Sequence, residues 1–198
     1  DRVTTIALAR ADKKNALTLA MYRALIAALE GAEADPQVRA VVITGTAECF
    51  TSGNDVGDFV AASRGGAAAG DLTAPLDFLR RLVTFTKPLV AGVAGVAIGI
   101  GTTLLLHCDL VYAAPNARFK TPFVDLALVP EGGSSVLLPA LVGARRANEM
   151  LLQGVQLDAP TALAWGLING IADDATAAAV AAAQRLATRA PGAMRASK

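Results

Sequence analysis

Histidine, cysteine and unbalanced charge are what this chain has least of, and each shortage narrows the range of functions. His107 is the only histidine in 198 residues, so a His-based catalytic triad or a multi-histidine metal site has almost nothing to be built from. The two cysteines, Cys49 and Cys108, lie far apart and outside any CxxC spacing. That argues against a disulfide framework or a zinc ribbon and points to a reducing cytoplasm. Lys+Arg 18 against Asp+Glu 17 leaves a formal charge of +1. With no long run of one sign, neither a nucleic-acid footprint nor a polybasic membrane patch is read. GxSxG, HExxH and GxxxxGK followed by Ser or Thr do not occur, which removes serine hydrolases of that type, zincins and P-loop enzymes.

What is present is apolar. The hydrophobic share is 54% with 18 glycines beside it, against 18% charged residues, so disorder is excluded. The length fits a single domain over residues 1–198, with 143–198 the start of a helical C-terminal region. The chain begins Asp1-Arg2 with no basic-then-apolar leader, so no secretory signal is expected. It ends in Pro191 to Lys198, where a further helix would begin, which reads as a truncated C-terminus. Pro88 to Cys108 carries no formal charge with His107 neutral and is long enough to span a bilayer. A membrane span is nonetheless not expected, because its first half reads as a β run and its second as a helix opened by glycines.

The coarse pattern is strand, helix, strand. Val3 to Leu8 alternates as an opening strand. Leu17, Met21, Ala24, Leu25, Ala28 and Leu29 fall at helical spacing up to Asp35-Pro36. Val38 to Thr44 and Leu89 to Val96 read as buried strands, and a helix is expected from about Gly99 to His107, followed by a strand at Leu110 to Ala113. Further helices are expected from Gly132-Gly133 to near Pro139, from Arg145 to Gln153, after the Asp158 cap, and from Asp173-Asp174 to about Ala190; Leu167 to Ile171 reads as a strand. Cys49 to Asp55 is read as turn-forming, and Ala61 to Gly70 as a Gly/Ala-rich surface segment. Alternating elements of this kind predict an α/β fold with parallel pairing.

Three turns carry candidate chemistry. Gly99-Ile100-Gly101 stands between a strand and a helix, but a dinucleotide fingerprint would need glycine where Leu104 stands and an acidic residue about twenty positions on. Free N–H groups at such a helix start suit a partial negative charge, while close helix-strand packing needs the same glycines. Thr51-Ser52-Gly53-Asn54-Asp55 follows a strand in the same way, and taken alone such a segment is more often a plain turn. Two such turns at one end of a sheet would make an oxyanion hole. Glu131 stands among Leu126, Ala127, Leu128, Val129 and Pro130 at a helix start. A carboxylate there stabilises the helix dipole, and in an apolar pocket it would also be a raised-pKa base. His107 beside Cys108 cannot pair with it, since adjacent helical residues diverge, so core packing is expected of His107.

Read together, Lys13 to Leu17, Cys49 to Asp55, Lys87 to Asp109, Phe119 to Ser135 and Ala147 to Leu152 with Gly154 resemble the enoyl-CoA hydratase/isomerase (crotonase) superfamily, over nearly the whole chain. The resemblance implies a spiral of ββα units, an acyl-CoA thioester substrate and no further cofactor, with a homotrimer or dimer of trimers as the assembly and fatty acid metabolism as the setting. It places the oxyanion donors at the amides of Asn54 and Ile100. It puts Lys13, Ala16, Ser52, Gly53, Asp55, Gly99 and Phe123 around the substrate. The two glutamates of a hydratase would fall at Thr103 and Phe123, neither acidic here. The segments SGND, GIGTTLLL, TPF and PEGGSS look like the peroxisomal-type 3,2-enoyl-CoA isomerases, which implies Glu131 as catalytic base. Asp125 is the nearest spare carboxylate for another reaction of this scaffold, such as a dienoyl-CoA isomerisation. A non-catalytic acyl-CoA-binding member is the remaining alternative.

Overall fold

The computed structural model describes residues 2–61 and 73–198. The chain repeats one local pattern, in which a buried β-branched strand is followed by a short second strand and then by helical residues. β2 (Ala40–Thr44) and β3 (Cys49–Thr51), β4 (Leu89–Val93) and β5 (Val96–Ile98), β6 (Leu110–Ala113) and β7 (Arg118–Lys120) are three such pairs. In each pair the first strand joins a five-stranded parallel sheet and the second a four-stranded sheet. β1 (Val3–Ala7) and β9 (Gly170–Ile171) are the two edges of the larger sheet. β8 (Leu157–Asp158) closes the smaller one by pairing antiparallel with β7. This is the expected α/β spiral of ββα units.

The central strands of the larger sheet, β2 and β4, are buried on both faces, which is why they read as continuous apolar runs. Val41, Ile43, Leu89, Ala91, Val93 and Val111 turn to the main core, shared with Phe50, Phe78, Phe119 and Leu138. Ala40, Val42 and Val90 turn the other way, onto Ala179, Ala182 and Ala183 of α8 (Ala175–Ala187). The small residues let that helix close on the sheet, and at Gly92 a methyl would lie 2.8 Å from the carbonyl oxygen of Ala175.

Helix α1 (Leu19–Ala34) is started by Thr18, whose hydroxyl accepts from the Met21 amide. Its buried stripe is Leu19, Tyr22, Leu25, Leu29 and Ala32. It is centred on Tyr22 rather than on the expected Met21 and Ala24. α2 (Val56–Ala61) and α3 (Ala74–Thr84) flank the 62–72 segment, so the expected Gly/Ala-rich surface stretch lies almost wholly outside the described residues. Four readings change. Cys49–Thr51 is strand, not turn. Leu89 to Val96 is two strands in different sheets, bent at Gly95, where φ is +62° and a side chain would collide with the Glu48 carbonyl. The Gly99 to His107 helix is one α turn, α4 (Ile100–Thr103), that tightens into a 3-10 turn at Leu104–His107. Of Leu167 to Ile171, only the last two residues pair with β6, because Leu167 and Ile168 are drawn into the core.

α5 (Ser134–Val142) continues through Pro139, held on by the burial of Leu138 and Val142. Next come α6 (Ala144–Gln153), α7 (Ala159–Trp165) under the Asp158 cap, and α9 (Pro191–Ser197). Among the described residues no helix is long and apolar enough to cross a membrane.

Candidate active site

β3 and β5 are parallel neighbours, with Thr51 opposite Ala97, so the turns that leave their C-terminal ends must emerge side by side. They touch through backbone. A methyl at Gly53 would lie 2.9 Å from the Ile98 carbonyl oxygen, and one at Gly101 would lie 2.6 Å from Thr51 Cγ2 and 3.1 Å from the Thr51 carbonyl oxygen. Only glycine permits that approach, and Gly53 at φ +94° also needs glycine for its backbone.

Each turn leaves an amide without an internal partner, for a definable reason. Leu17 and Asn54 form an isolated parallel bridge. It uses the Gly53 carbonyl (Leu17 N donating at 2.8 Å) and the Asp55 amide (donating to the Leu17 carbonyl at 2.9 Å). The Asn54 N–H therefore points away from Leu17. In the other turn the Gly99 amide donates to Lys120, and the Gly99 carbonyl accepts from Thr102 and Thr103. Ile100 is the first residue of α4, where N–H groups have no intrahelical acceptor. Among the described residues neither amide has an acceptor. Gly99 at φ +57° faces open space where a side chain would be.

Glu131 sits half-buried on the loop before α5. Thr103, fully buried at the end of α4, donates its hydroxyl to Glu131 Oε1 at 2.5 Å. Burial pushes the Glu131 carboxyl above the usual carboxylate range, and the Thr103 hydroxyl draws it partly back. Tyr22, fully buried on α1 with its ring tilted against Phe78 at a centroid distance of 5.6 Å, donates its hydroxyl to Asn54 Oδ1. Its own burial and the nearby Glu131 charge raise its pKa and hold it protonated. His107 Nε2 donates to the Gly132 carbonyl at 2.9 Å, so the expected packing residue also anchors the loop that carries Glu131. Burial lowers its pKa, which favours the neutral ring. Gly132 at φ +63° lets this loop close on Thr103; a methyl there would lie 3.1 Å from Thr103 Cβ.

The Lys13-Leu17 loop is tied to the same place by several bonds, of which Asn15 makes the most buried. Asn15, fully buried at φ +52°, donates Nδ2 to the carbonyls of Cys49 (2.8 Å) and Phe50 (3.1 Å), and its Oδ1 accepts from the Arg10 amide at 2.7 Å. Thr51 donates its hydroxyl to the Asn15 carbonyl, and the Ser52 amide donates to Lys14. Arg10 pairs with Asp55 at 2.5 Å and donates to the Ala16 carbonyl at 3.0 Å. That guanidinium, with the Asp58 amide, holds Asp55 below the usual carboxylate range.

Of the residues singled out in sequence, Ser52, Gly53, Asn54 and Asp55 are joined to Ala16 and its neighbours by these bonds. Gly99 and Ile100 form the facing turn, and Glu131 reaches it through Thr103. Lys13 is exposed at the end of a short 3-10 turn. Phe123 is buried in the core. Asp125 is exposed and paired with Lys120 at 2.8 Å. Arg10, Asn15, Tyr22 and the Thr103 hydroxyl were not anticipated as parts of the site. Tyr22 was legible in principle, since it lies at helical spacing from Leu19, Leu25 and Leu29. Among the described residues no group of three or more His, Cys, Asp or Glu is placed to hold a metal ion.

Comparison with known proteins gives a consistent picture. The family model described as enoyl-CoA hydratase/isomerase matches residues 1–198. The chain is 42% identical over 176 residues to rat (Rattus norvegicus) enoyl-CoA delta isomerase 2, covering 88% of this chain and 45% of that protein. It is 35% identical to 2,3-dehydroadipyl-CoA hydratase of Escherichia coli K12, over all of this chain and 77% of that protein. Among solved structures, an enoyl-CoA hydratase/isomerase from Pseudoalteromonas atlantica superposes with a TM-score of 0.92 at 39% identity, over 99% of this chain and 77% of that one. The chain spans about half the length of the curated isomerases it matches.

Proposed function

The chain belongs to the enoyl-CoA hydratase/isomerase family, and from that membership we propose that it shifts the double bond of a 3-enoyl-CoA into conjugation as the 2-enoyl-CoA. The observation that carries the reading is a single half-buried carboxylate, Glu131, held by a threonine hydroxyl where a hydratase would have a second glutamate. Hydration needs one group to activate water and another to deliver a proton; Thr103 and Phe123 provide no carboxylate for either task.

The mechanism follows from the groups present. The thioester oxygen lies between the amides of Asn54 and Ile100, and each such donor lowers the barrier by about 3 to 4 kcal/mol as negative charge develops there. Glu131 takes a proton from C2, breaking the C2–H bond and giving a dienolate spread over C2, C3 and C4. The same carboxyl then delivers that proton to C4, and the double bond settles between C2 and C3. The raised affinity of Glu131 for a proton suits a group that must both take one and return it. Coenzyme A is the handle of the substrate, met by the Lys13 to Ala16 loop, and no other cofactor enters. An assembly of three copies or two such trimers belongs to the same proposal. Exposed Leu126, Leu128, Val129, Val136 and Leu141 offer apolar surface for it. The two cysteines are free thiols, which suits a reducing compartment, and the cytoplasm is the location proposed.

The test is a pair of assays on the purified chain. With a 3-enoyl-CoA, conjugated enoyl thioester should form; with a 2-enoyl-CoA, its absorbance should persist. Rapid hydration of the second substrate with little turnover of the first would overturn the reading.

A further inference from the structure

Resting on that reading, the geometry around Thr103 carries one step more. Thr103 stands three residues after Ile100 in the same short helix, so one turn carries on one face both the amide assigned to the thioester oxygen and a hydroxyl. The threonine is fully buried, and its β-branched side chain has few rotamers to lose. Among the described residues its hydroxyl has one hydrogen-bond partner, Glu131 Oε1. The neighbouring Thr102 differs: its hydroxyl donates to the Ala97 carbonyl at 2.6 Å and serves the strand-helix junction. Thr103 is therefore not needed to hold its own helix. Gly132, next to the base, leaves the room for Thr103 to close on it.

We propose that Thr103 is a positioning residue that occupies Oε1 of Glu131, leaving Oε2 as the one oxygen that carries the proton from C2 to C4. The hydroxyl can donate to Oε1 whether Glu131 is a carboxylate or has taken the proton on Oε2. The base thus keeps one orientation through both halves of the reaction. C2–H breaks as Oε2–H forms, and Oε2–H breaks as C4–H forms. The other groups that face the base or its loop are Tyr22 from α1, His107 from the 3-10 turn, Leu79 from α3, and Ser134 from α5, which donates to the Glu131 backbone carbonyl. Among the described residues no lysine or arginine forms an ion pair with the carboxylate.

The experiment compares isomerisation by the wild type, Thr103→Val, Thr103→Ser and Glu131→Gln across pH. Thr103→Val keeps the shape and removes the donor. It should lower kcat on the order of 10- to 100-fold with little change in KM, and move the acid limb of kcat to higher pH. Thr103→Ser, which restores a hydroxyl, should recover both. An unchanged kcat and acid limb in Thr103→Val overturns the proposal. So does a loss that Thr103→Ser fails to reverse, since shape alone would then explain it. Inactive Glu131→Gln beside an unaffected Thr103→Val removes Thr103 alone, whereas an active Glu131→Gln removes the base itself.

Discussion

Gly53→Ala places one methyl group where the two turns touch. That methyl would lie 2.9 Å from the Ile98 carbonyl oxygen and 3.6 Å from its carbon. Both are backbone atoms, so no side chain can swing aside to make room. The residue must also hold φ at +94°, which costs a residue other than glycine about 1 to 2 kcal/mol. Relieving the overlap costs about 1 to 3 kcal/mol more. A loss of about 2 to 5 kcal/mol is severe but leaves most proteins folded. The easier relief is to push the Ser52-Asn54 turn away from Ile98, and that carries the Asn54 amide away from Ile100. Losing one aligned donor costs about 10² to 10³ in kcat. Urea denaturation and saturating 3-enoyl-CoA turnover measure the two effects. Gly31→Ala in α1 is the control, because nothing lies within 4 Å of the added methyl and a helix interior should gain about 0.5 to 1 kcal/mol with activity kept. Folded Gly53→Ala with kcat within about threefold of wild type would refute the reasoning.

Three further outcomes follow from the same geometry. Glu131→Gln should lower isomerase kcat by about 10² to 10⁴, with coenzyme A binding retained in a direct binding assay. The same variant should be more stable than wild type at pH 7. Burial raises the folded pKa of Glu131 above its ordinary 4.5, so its favourable contribution is complete below the ordinary value and disappears as pH rises through the folded one. Melting curves should show the gap between variant and wild type closing as pH falls toward 4.5. Asn15→Ala breaks two buried and one half-buried hydrogen bond at a positive φ and should cost about 3 to 5 kcal/mol by denaturant titration; a loss under about 1 kcal/mol would mean the remaining backbone bonds suffice to hold the loop.

What could be read in advance was local, and what could not was tertiary. The run Val38 to Thr44 is β-branched and bounded by glycine, and Asp158, Pro160 and Gly166 bracket α7 with standard end signals. The break between β4 and β5 left no mark in an unbroken apolar run. It arises because Gly95 must approach the Glu48 carbonyl, a contact across 47 residues. β3, β7 and β8 are too short to show alternation. In the site, apolar flanks allowed a raised affinity of Glu131 for protons without separating it from a plain helix-dipole role; burial in the folded chain decides it. Its partner Thr103 lies 28 residues away and has no periodic relation to it. Met21 and Ala24 fit the same helical spacing as Tyr22, and one residue's rotation of α1 moves the phenol from the flank into the site.

The convergence of two backbone amides and one carboxylate on a single acyl group is tested most directly by a crystal structure with a non-reactive 2-enoyl-CoA analogue. The account predicts that the thioester oxygen lies within about 3.2 Å of both the Asn54 and Ile100 nitrogens, with Glu131 Oε2 facing C2 and Oε1 still on Thr103. An oxygen bound elsewhere, or reached by only one of the two amides, would contradict it.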